Sequence, residues 1–134
     1  MTDSITSILI IEGEPTLRAR LTSTLTKAGF VVADVADYPE ALAKLDEFSP
    51  DMAIVDEVLP GGDGKYACSQ LHSAFGIPVI LLGKDSSGEA WMAAVQAGAD
   101  FYFNKSLYHQ ELVTRVKAIL RRYKNYSISI GTKE

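Results

Sequence analysis

A chain of 134 residues, 47% hydrophobic and 22% charged, has the size and composition of a single globular domain. Its net charge of -4 argues against a tail that coats nucleic acid, and its apolar runs are shorter than the ~20 residues of a membrane span. The single cysteine, Cys68, excludes an internal disulfide and a paired-thiol metal site. The composition therefore predicts a cytoplasmic protein with one core.

Five short apolar segments predict strands, in chain order: SILII (7–11), VVADV (31–35), MAIV (52–55), PVILL (78–82) and FYF (101–103). The first, third and fourth are continuous apolar runs, which are typical of strands covered on both faces. The stretches between and after the strands predict helices, because apolar residues recur there at helical spacing. These residues are Leu17, Leu21 and Leu25; Ala41, Leu42, Leu45 and Phe48; Met92, Val95 and Ala99; and Leu112, Val116, Ile119, Leu120 and Tyr123. The pattern is weakest between residues 65 and 73.

Helix boundaries support this alternation. Pro15 suits the first turn of a helix, and Gly29 and Gly98 stand where a helix is expected to end. Ser86 and Glu89 have the spacing of a capping box before the fourth helix. Five strands that alternate with helices predict an α/β protein with a doubly wound parallel sheet and helices on both faces.

Charged residues follow four of the five strands. They are Glu12 and Glu14 around Gly13, then Asp56-Glu57, Lys84 after Gly83, and Lys105 after Asn104. Ligands of such sheets bind at the carboxyl ends of the strands, so these side chains are expected to converge on one edge. Carboxylates beside a lysine predict a Mg²⁺ site next to a group that Lys105 neutralises.

Several longer motifs resemble the receiver domain of two-component response regulators. SPDMAIVDEVLPGGDG (49–64), IPVILLG, AGADFYFNKS and ELVTRVKAILRRY match that family in order and spacing. The resemblance covers the chain from Ile8 to about Tyr123. It implies a flavodoxin-like fold with five parallel strands in the order 2-1-3-4-5, and a binding and signalling domain rather than a turnover enzyme.

The resemblance also assigns roles to individual residues. Asp56 matches the phosphoacceptor, which takes a phosphoryl group from a histidine kinase. Lys105 matches the lysine that neutralises the phosphoryl oxygens, and the backbone carbonyl of Val58 matches a Mg²⁺ ligand. Tyr102 matches the aromatic residue whose inward rotation reports phosphorylation.

Two positions depart from the family pattern. The usual pair of metal-binding acids is replaced by Glu12 and Gly13, so one direct Mg²⁺ ligand is missing and metal binding is expected to be weak or lost. Gly83 stands where the family has the hydroxyl residue of the switch, which removes the link between the phosphoryl group and Tyr102. Lys84 follows directly, and it either supplies a cation to the pocket instead or is a solvated surface lysine.

The resemblance also implies an interaction surface, made of the fourth helix, the fifth strand and the fifth helix. In OmpR/PhoB-type regulators this surface forms a homodimer with charges paired across it, and Glu111 and Arg115 match that pattern. Trp91 and Phe101 replace two charged residues of the pattern. Trp91 either folds into the core of its own domain or forms, with Phe101, an aromatic interface that associates independently of phosphorylation.

The end of the sequence resembles the junction between receiver and DNA-binding domain in the same class. Residues 1–124 are expected to form the receiver, and residues 125–134 a tail or a linker towards an effector domain. YSISIG (126–131) is then either the first strand of that domain or a frayed tail.

Two enzyme or cofactor classes fit less well. A Mg²⁺-dependent phosphohydrolase of the common kind needs a general acid two residues after its aspartate, where this chain has Val58. A flavin- or nucleotide-binding protein needs an anion-binding loop after the first strand, where Glu12 and Glu14 repel phosphate. Two functions remain open: a phosphoaccepting receiver switch, and a pseudo-receiver that acts as a phosphorylation-independent interaction module.

Overall fold

The sheet that carries the functional residues is parallel and five-stranded. A computed structural model describes residues 6–106 and 109–132, with side chains up to Tyr123. The strands are β1 (Ser7–Ile11), β2 (Val31–Val35), β3 (Met52–Asp56), β4 (Val79–Gly83) and β5 (Phe101–Asn104). They lie in the order β2-β1-β3-β4-β5, and every neighbouring pair is parallel. The predicted fold class and the predicted strand order are therefore confirmed.

Helices cover both faces of the sheet. They are α1 (Pro15–Lys27), α2 (Tyr38–Leu45), α3 (Gly64–Phe75), α4 (Gly88–Gln96) and α5 (His109–Thr132). A small antiparallel hairpin, Val58–Leu59 with Gly62–Asp63, separates β3 from α3. The weakly patterned segment 65–73 is thus helical, as predicted.

Two layers of core enclose the sheet, because successive side chains of a strand point to opposite faces. One layer combines residues such as Ile10, Ile54 and Leu82 with α1 and α5, and the other combines Val55 and Leu81 with α2, α3 and α4. Every residue of β3 and β4 is buried. This explains why their sequences are continuous apolar runs and not alternating ones.

Helix caps lie close to the predicted positions, with one correction. Glu14 caps α1 through a hydrogen bond from the backbone N–H of Leu17 to its carboxylate, at 2.7 Å. The cap of α4 is Ser87, whose hydroxyl accepts a hydrogen bond from Ala90 N–H at 3.1 Å. Ser86, the predicted cap, lies one residue too early, because the first turn begins at Gly88.

The apolar stripe of α4 does not face the core, which corrects the prediction for Met92 and Val95. Their exposed fractions are 63% and 59%. The sheet is instead covered by the small residue Ala94, which is buried, with Ala90 packed beside it. Leu42 of α2 is likewise exposed, beside the buried Ala41. In both helices an alanine lies closest to the sheet, so the larger neighbouring side chains point to solvent.

The backbone of α5 continues past the predicted domain boundary at residue 124. It is helical to Thr132 and therefore through residues 126–131, where the sequence suggested a strand or a frayed tail. Residues 133–134 of the predicted tail lie outside the described residues. Among residues 6–106 and 109–132, no helix combines the length and the hydrophobicity that crossing a membrane requires.

Candidate functional site

Four chain segments meet at the carboxyl edge of the sheet. Glu12 follows β1, Asp56 ends β3, Gly83 ends β4, and Lys105 follows β5. The last two segments are joined directly, because Lys105 N–H donates to the carbonyl of Gly83 at 2.9 Å. The parallel topology thus brings together residues that lie up to 93 positions apart, as the sequence pattern predicted.

Asp56 and Lys105 form the centre of this edge. Lys105 Nζ lies 2.5 Å from Asp56 Oδ2, and Asp56 Oδ1 accepts a hydrogen bond from Val58 N–H at 2.9 Å. The aspartate side chain is 1% exposed and the lysine side chain 17%. Each carboxylate oxygen therefore has a donor, and the buried negative charge is balanced by one adjacent cation.

Gly64 supports Asp56 from behind. Its N–H donates to the carbonyl of Glu57 at 3.0 Å, and a Cβ at this position would overlap the carbonyl oxygen of Asp56. It would also lie 2.6 Å from Glu57 Cα. The hairpin can therefore return against the end of β3 only because residue 64 has no side chain.

Glu12 is buried beside Asp56, with 2% of its surface exposed. Its Oε2 accepts a hydrogen bond from Glu14 N–H at 3.1 Å, whereas its Oε1 has no hydrogen-bond partner among the described residues. Burial, followed by the neighbouring Asp56 carboxylate, raises the pKa of Glu12 to about 7. When the Glu12 carboxyl is protonated, it can share this proton with the Asp56 carboxylate. The proton then satisfies Oε1 of Glu12, which otherwise has no hydrogen-bond partner among the described residues.

Gly13 leaves no space for a second acidic side chain. A Cβ on Gly13 would lie 2.6 Å from Cδ and 2.8 Å from Cγ of Pro60, in the loop of the hairpin. The proline ring therefore occupies the direction in which an acidic side chain would leave the backbone. This close approach is a consequence of tertiary structure that the sequence pattern did not predict.

The residues at this edge fit a full Mg²⁺ site poorly. Glu12 and Asp56 supply two carboxylates and Val58 a backbone carbonyl, but one carboxylate is engaged by Lys105 and the other has a raised pKa. No group of three or more His, Cys, Asp or Glu side chains within the described residues has the arrangement of a metal site. When Glu12 is ionised, its Oε1, which has no hydrogen-bond partner among the described residues, favours a cation.

The pKa of Glu12 leads to a testable pH dependence. Because the pKa of Glu12 in the folded protein is about 7 and its ordinary value is 4.5, the folded state holds this proton more tightly than the unfolded state. Its stabilising contribution is complete below pH 4.5 and is lost as the pH rises through about 7. Glu12→Gln does not titrate. Between pH 5 and pH 8 we therefore expect the free energy of unfolding of the wild type to fall by about 2 kcal/mol relative to that of Glu12→Gln.

Urea unfolding of both proteins at the two pH values, in buffer with a chelator, measures this difference. If the free energies of unfolding of the two proteins differ by the same amount at pH 5 and at pH 8, Glu12 is ionised throughout and accepts a hydrogen bond from another donor.

Tyr102 lies inward, over Gly83. Its side chain is 3% exposed, and its hydroxyl donates a hydrogen bond to Glu57 Oε2 at 3.2 Å. A Cβ on Gly83 would lie 2.5 Å from both Glu57 Oε2 and Tyr102 Cζ, and it would overlap the tyrosine hydroxyl. The tyrosine therefore fills the volume that the side chain of a hydroxyl residue at position 83 would need.

Trp91, Phe101 and Arg115 form one aromatic cluster on the surface of α4, β5 and α5. The rings of Trp91 and Phe101 meet edge to face with centroids 4.9 Å apart, and the Arg115 guanidinium carbon lies 4.2 Å from the Phe101 centroid. Trp91 remains 38% exposed, so it neither enters the core nor stands free. Glu111 and these three residues line one surface groove. Within the described residues, however, the Glu111 carboxylate makes no ion pair with Arg115.

Sequence reasoning missed the contributions of Glu57, Pro60 and Gly64. Glu57 was visible only as a charge after β3, and nothing in the sequence indicated its contact with Tyr102. Pro60 and Gly64 belong to LPGGDG, whose glycines and proline predict a turn but not the atoms that the turn approaches. Cys68, in contrast, is buried as expected, and burial raises the pKa of its thiol to about 12.

Comparisons with known proteins agree with this architecture. A family model described as a response regulator receiver domain matches residues 8–117. The sensory transduction protein RegX3 of Mycobacterium tuberculosis is 37% identical over 118 residues, which are 88% of this chain and 52% of that protein. The DNA-binding response regulator MtrA of Mycolicibacterium smegmatis is 34% identical over 130 residues, which are 95% of this chain and 57% of that protein.

The chain thus spans about half the length of the curated relatives it matches. Among solved structures, a CheY-like response regulator receiver domain protein from Methanospirillum hungatei has a TM-score of 0.84 at 25% identity, covering 92% of this chain and 99% of that one. The match over most of the sequence and the parallel sheet with Asp56 and Lys105 at its edge lead to one conclusion: the chain belongs to the receiver domains of response regulators.

Proposed function

We propose that this receiver accepts a phosphoryl group on Asp56 from a histidine kinase in the cytoplasm. The observation that supports the proposal is the pair of Asp56 and Lys105, with the aspartate carboxylate at the wall of an open pocket of about 530 Å³. Lys84 and Asp85 line the mouth of the same pocket. A carboxylate held beside a lysine is the arrangement that nucleophilic attack on a phosphoryl group requires.

In the proposed step, one oxygen of Asp56 forms a bond to phosphorus while the bond from phosphorus to the kinase histidine nitrogen breaks. The electron pair of the breaking bond stays on the imidazole nitrogen, which then takes a proton. Lys105 leaves the Asp56 carboxylate and neutralises the phosphoryl oxygens. If Mg²⁺ binds, the oxygens of Glu12, Asp56 and Val58 would hold it, and it would supply further positive charge beside that of Lys105.

A second candidate function is a pseudo-receiver that acts as an interaction module without phosphorylation. Three observations favour it. The Asp56 side chain is only 1% exposed, the Pro60 ring occupies the space that a metal-binding side chain at position 13 would need, and residue 83 has no hydroxyl. Its surface would be the aromatic cluster of Trp91, Phe101 and Arg115 with the exposed residues of α4. We propose a second copy of the chain as the partner at this surface. The output would be a DNA-binding effector domain, since the relative MtrA is described as a DNA-binding response regulator.

Incubation with acetyl phosphate separates the two functions. We expect intact-mass spectrometry to detect one added phosphoryl group on the wild type and on Asp85→Asn, which changes an exposed acid of the same pocket. Asp56→Asn should gain none. Parallel samples with Mg²⁺ and with a chelator test how far the reaction depends on the metal.

Sedimentation of the same samples reports the oligomeric state. If the mass of the wild type stays unchanged in both buffers, phosphoacceptance is contradicted and the interaction module is the function that remains. Association that appears only after the mass increases would favour the phosphorylated switch over the pseudo-receiver.

A further inference from the structure

The hydroxyl of Tyr102 occupies the position that a Cβ atom at residue 83 would take. Gly83 is buried at the end of β4, and any side chain there would meet the end of Tyr102 and Oε2 of Glu57. The atoms closest to the missing side chain belong to these two side chains and not to the backbone. The tyrosine and the glutamate together therefore fill the space next to Gly83.

Glu57 holds the tyrosine in this place. Its Oε2 accepts the hydrogen bond from the Tyr102 hydroxyl at 3.2 Å, and Lys65 Nζ lies 3.9 Å from its Oε1. Burial, followed by the charge of Glu57, raises the pKa of Tyr102, so the hydroxyl keeps the proton that it donates. The buried end of the tyrosine therefore has its hydrogen-bond partner within the chain itself.

Tyr102 in turn supports the aromatic cluster on the surface. Its ring centroid lies 6.2 Å from that of Trp91, in an edge-to-face arrangement. Trp91 packs against Phe101 at 4.9 Å, and Arg115 covers Phe101. Edge-to-face pairs depend on ring position, so a displacement of Tyr102 is expected to disturb Trp91 as well.

We propose that Glu57 is a positioning residue that, together with the absence of a side chain at Gly83, holds Tyr102 inward in the unmodified protein and so keeps the aromatic cluster permanently assembled. The position of Tyr102 then depends on residues 57 and 83 and not on the occupancy of Asp56. This inference goes beyond phosphoacceptance, and it stands whether or not Asp56 is phosphorylated.

Gly83→Ala is the direct test, with Gly88→Ala as its control. The new methyl group at position 83 cannot coexist with the inward tyrosine, whereas a Cβ on Gly88, the first residue of α4, has no atom within 4 Å. We expect Gly83→Ala to lose the nuclear Overhauser contacts between the Tyr102 ring and Glu57 and to shift the emission of Trp91, the single tryptophan. Gly88→Ala should retain both signals.

Two substitutions at residue 57 keep the test valid if Gly83→Ala fails to fold. Glu57→Gln retains an acceptor for the Tyr102 hydroxyl and should keep the wild-type spectra. Glu57→Ala removes the acceptor and should reproduce the Trp91 shift of Gly83→Ala. Wild-type spectra in Glu57→Ala would overturn the role of Glu57.

A phosphoryl mimic completes the experiment. Addition of beryllofluoride with Mg²⁺ to the wild type should leave the Tyr102 contacts and the Trp91 emission unchanged, even where fluorine resonances show that the mimic is bound. A change in these two signals as large as that of Gly83→Ala would contradict the proposal. Failure of the mimic to bind would count against phosphoacceptance instead, and the variants at residues 57 and 83 would still decide the proposal.

Discussion

Gly64→Ala is expected to lower the free energy of unfolding by about 3 kcal/mol, the upper end of the usual range for overpacking. The added Cβ would overlap the carbonyl oxygen of Asp56 and lie 2.8 Å from its carbonyl carbon. These are backbone atoms of a buried strand, which cannot move aside as the end of a flexible side chain can. The hydrogen bond from Gly64 N–H to Glu57 would also be strained.

Gly62→Ala is a matched control two residues away. A Cβ on Gly62 has no atom within 4 Å, so this variant should stay within about 0.5 kcal/mol of the wild type. Urea unfolding at neutral pH measures both variants. Equal stability of the two would show that the hairpin can move away from β3 without cost.

Lys105→Met is expected to destabilise the protein by about 3 kcal/mol, because it removes the cation beside a buried carboxylate. Asp56 would keep only the hydrogen bond from Val58 N–H, with the Glu12 carboxyl close by. The cost arises from a charge that stays buried after its partner is lost, not from the strength of the original pair.

The matched control is Lys84→Met, which removes an exposed lysine from the mouth of the same pocket. It should change the stability by no more than about 0.5 kcal/mol. A double variant, Asp56→Asn with Lys105→Met, should recover most of the lost stability, because no charge is then left without a partner. Equal losses in the single and the double variant would show that Lys105 acts through packing of its side chain.

The expected fold followed from local patterns that have a direct physical cause. Continuous apolar runs of this length are typical of strands covered on both faces, and β3 and β4 are buried throughout. Gly29 and Gly98 end α1 and α4 with positive φ angles of 103° and 97°, a conformation that favours glycine. The prediction for α4 was wrong about Met92 and Val95, because the helical period does not say which of two apolar stripes meets the sheet.

The carboxyl edge was also foreseeable in part. Parallel strands must end at the same edge, so Glu12, Asp56 and Lys105 were expected to meet, and the structure brings them together. Their roles in phosphoryl transfer remain proposals. What the sequence showed at Gly13 and Gly83 was only that a side chain is missing.

The order of the elements, the buried strands and the set of charged residues at the strand ends could be predicted from the sequence, because these features depend on periodicity and chain connectivity. The atoms that occupy the space beside the two glycines could be found only in the folded chain. They are the Pro60 ring beside Gly13 and the Tyr102 hydroxyl, hydrogen-bonded to Glu57, beside Gly83. These contacts join residues far apart in the chain through close packing, which no local pattern encodes.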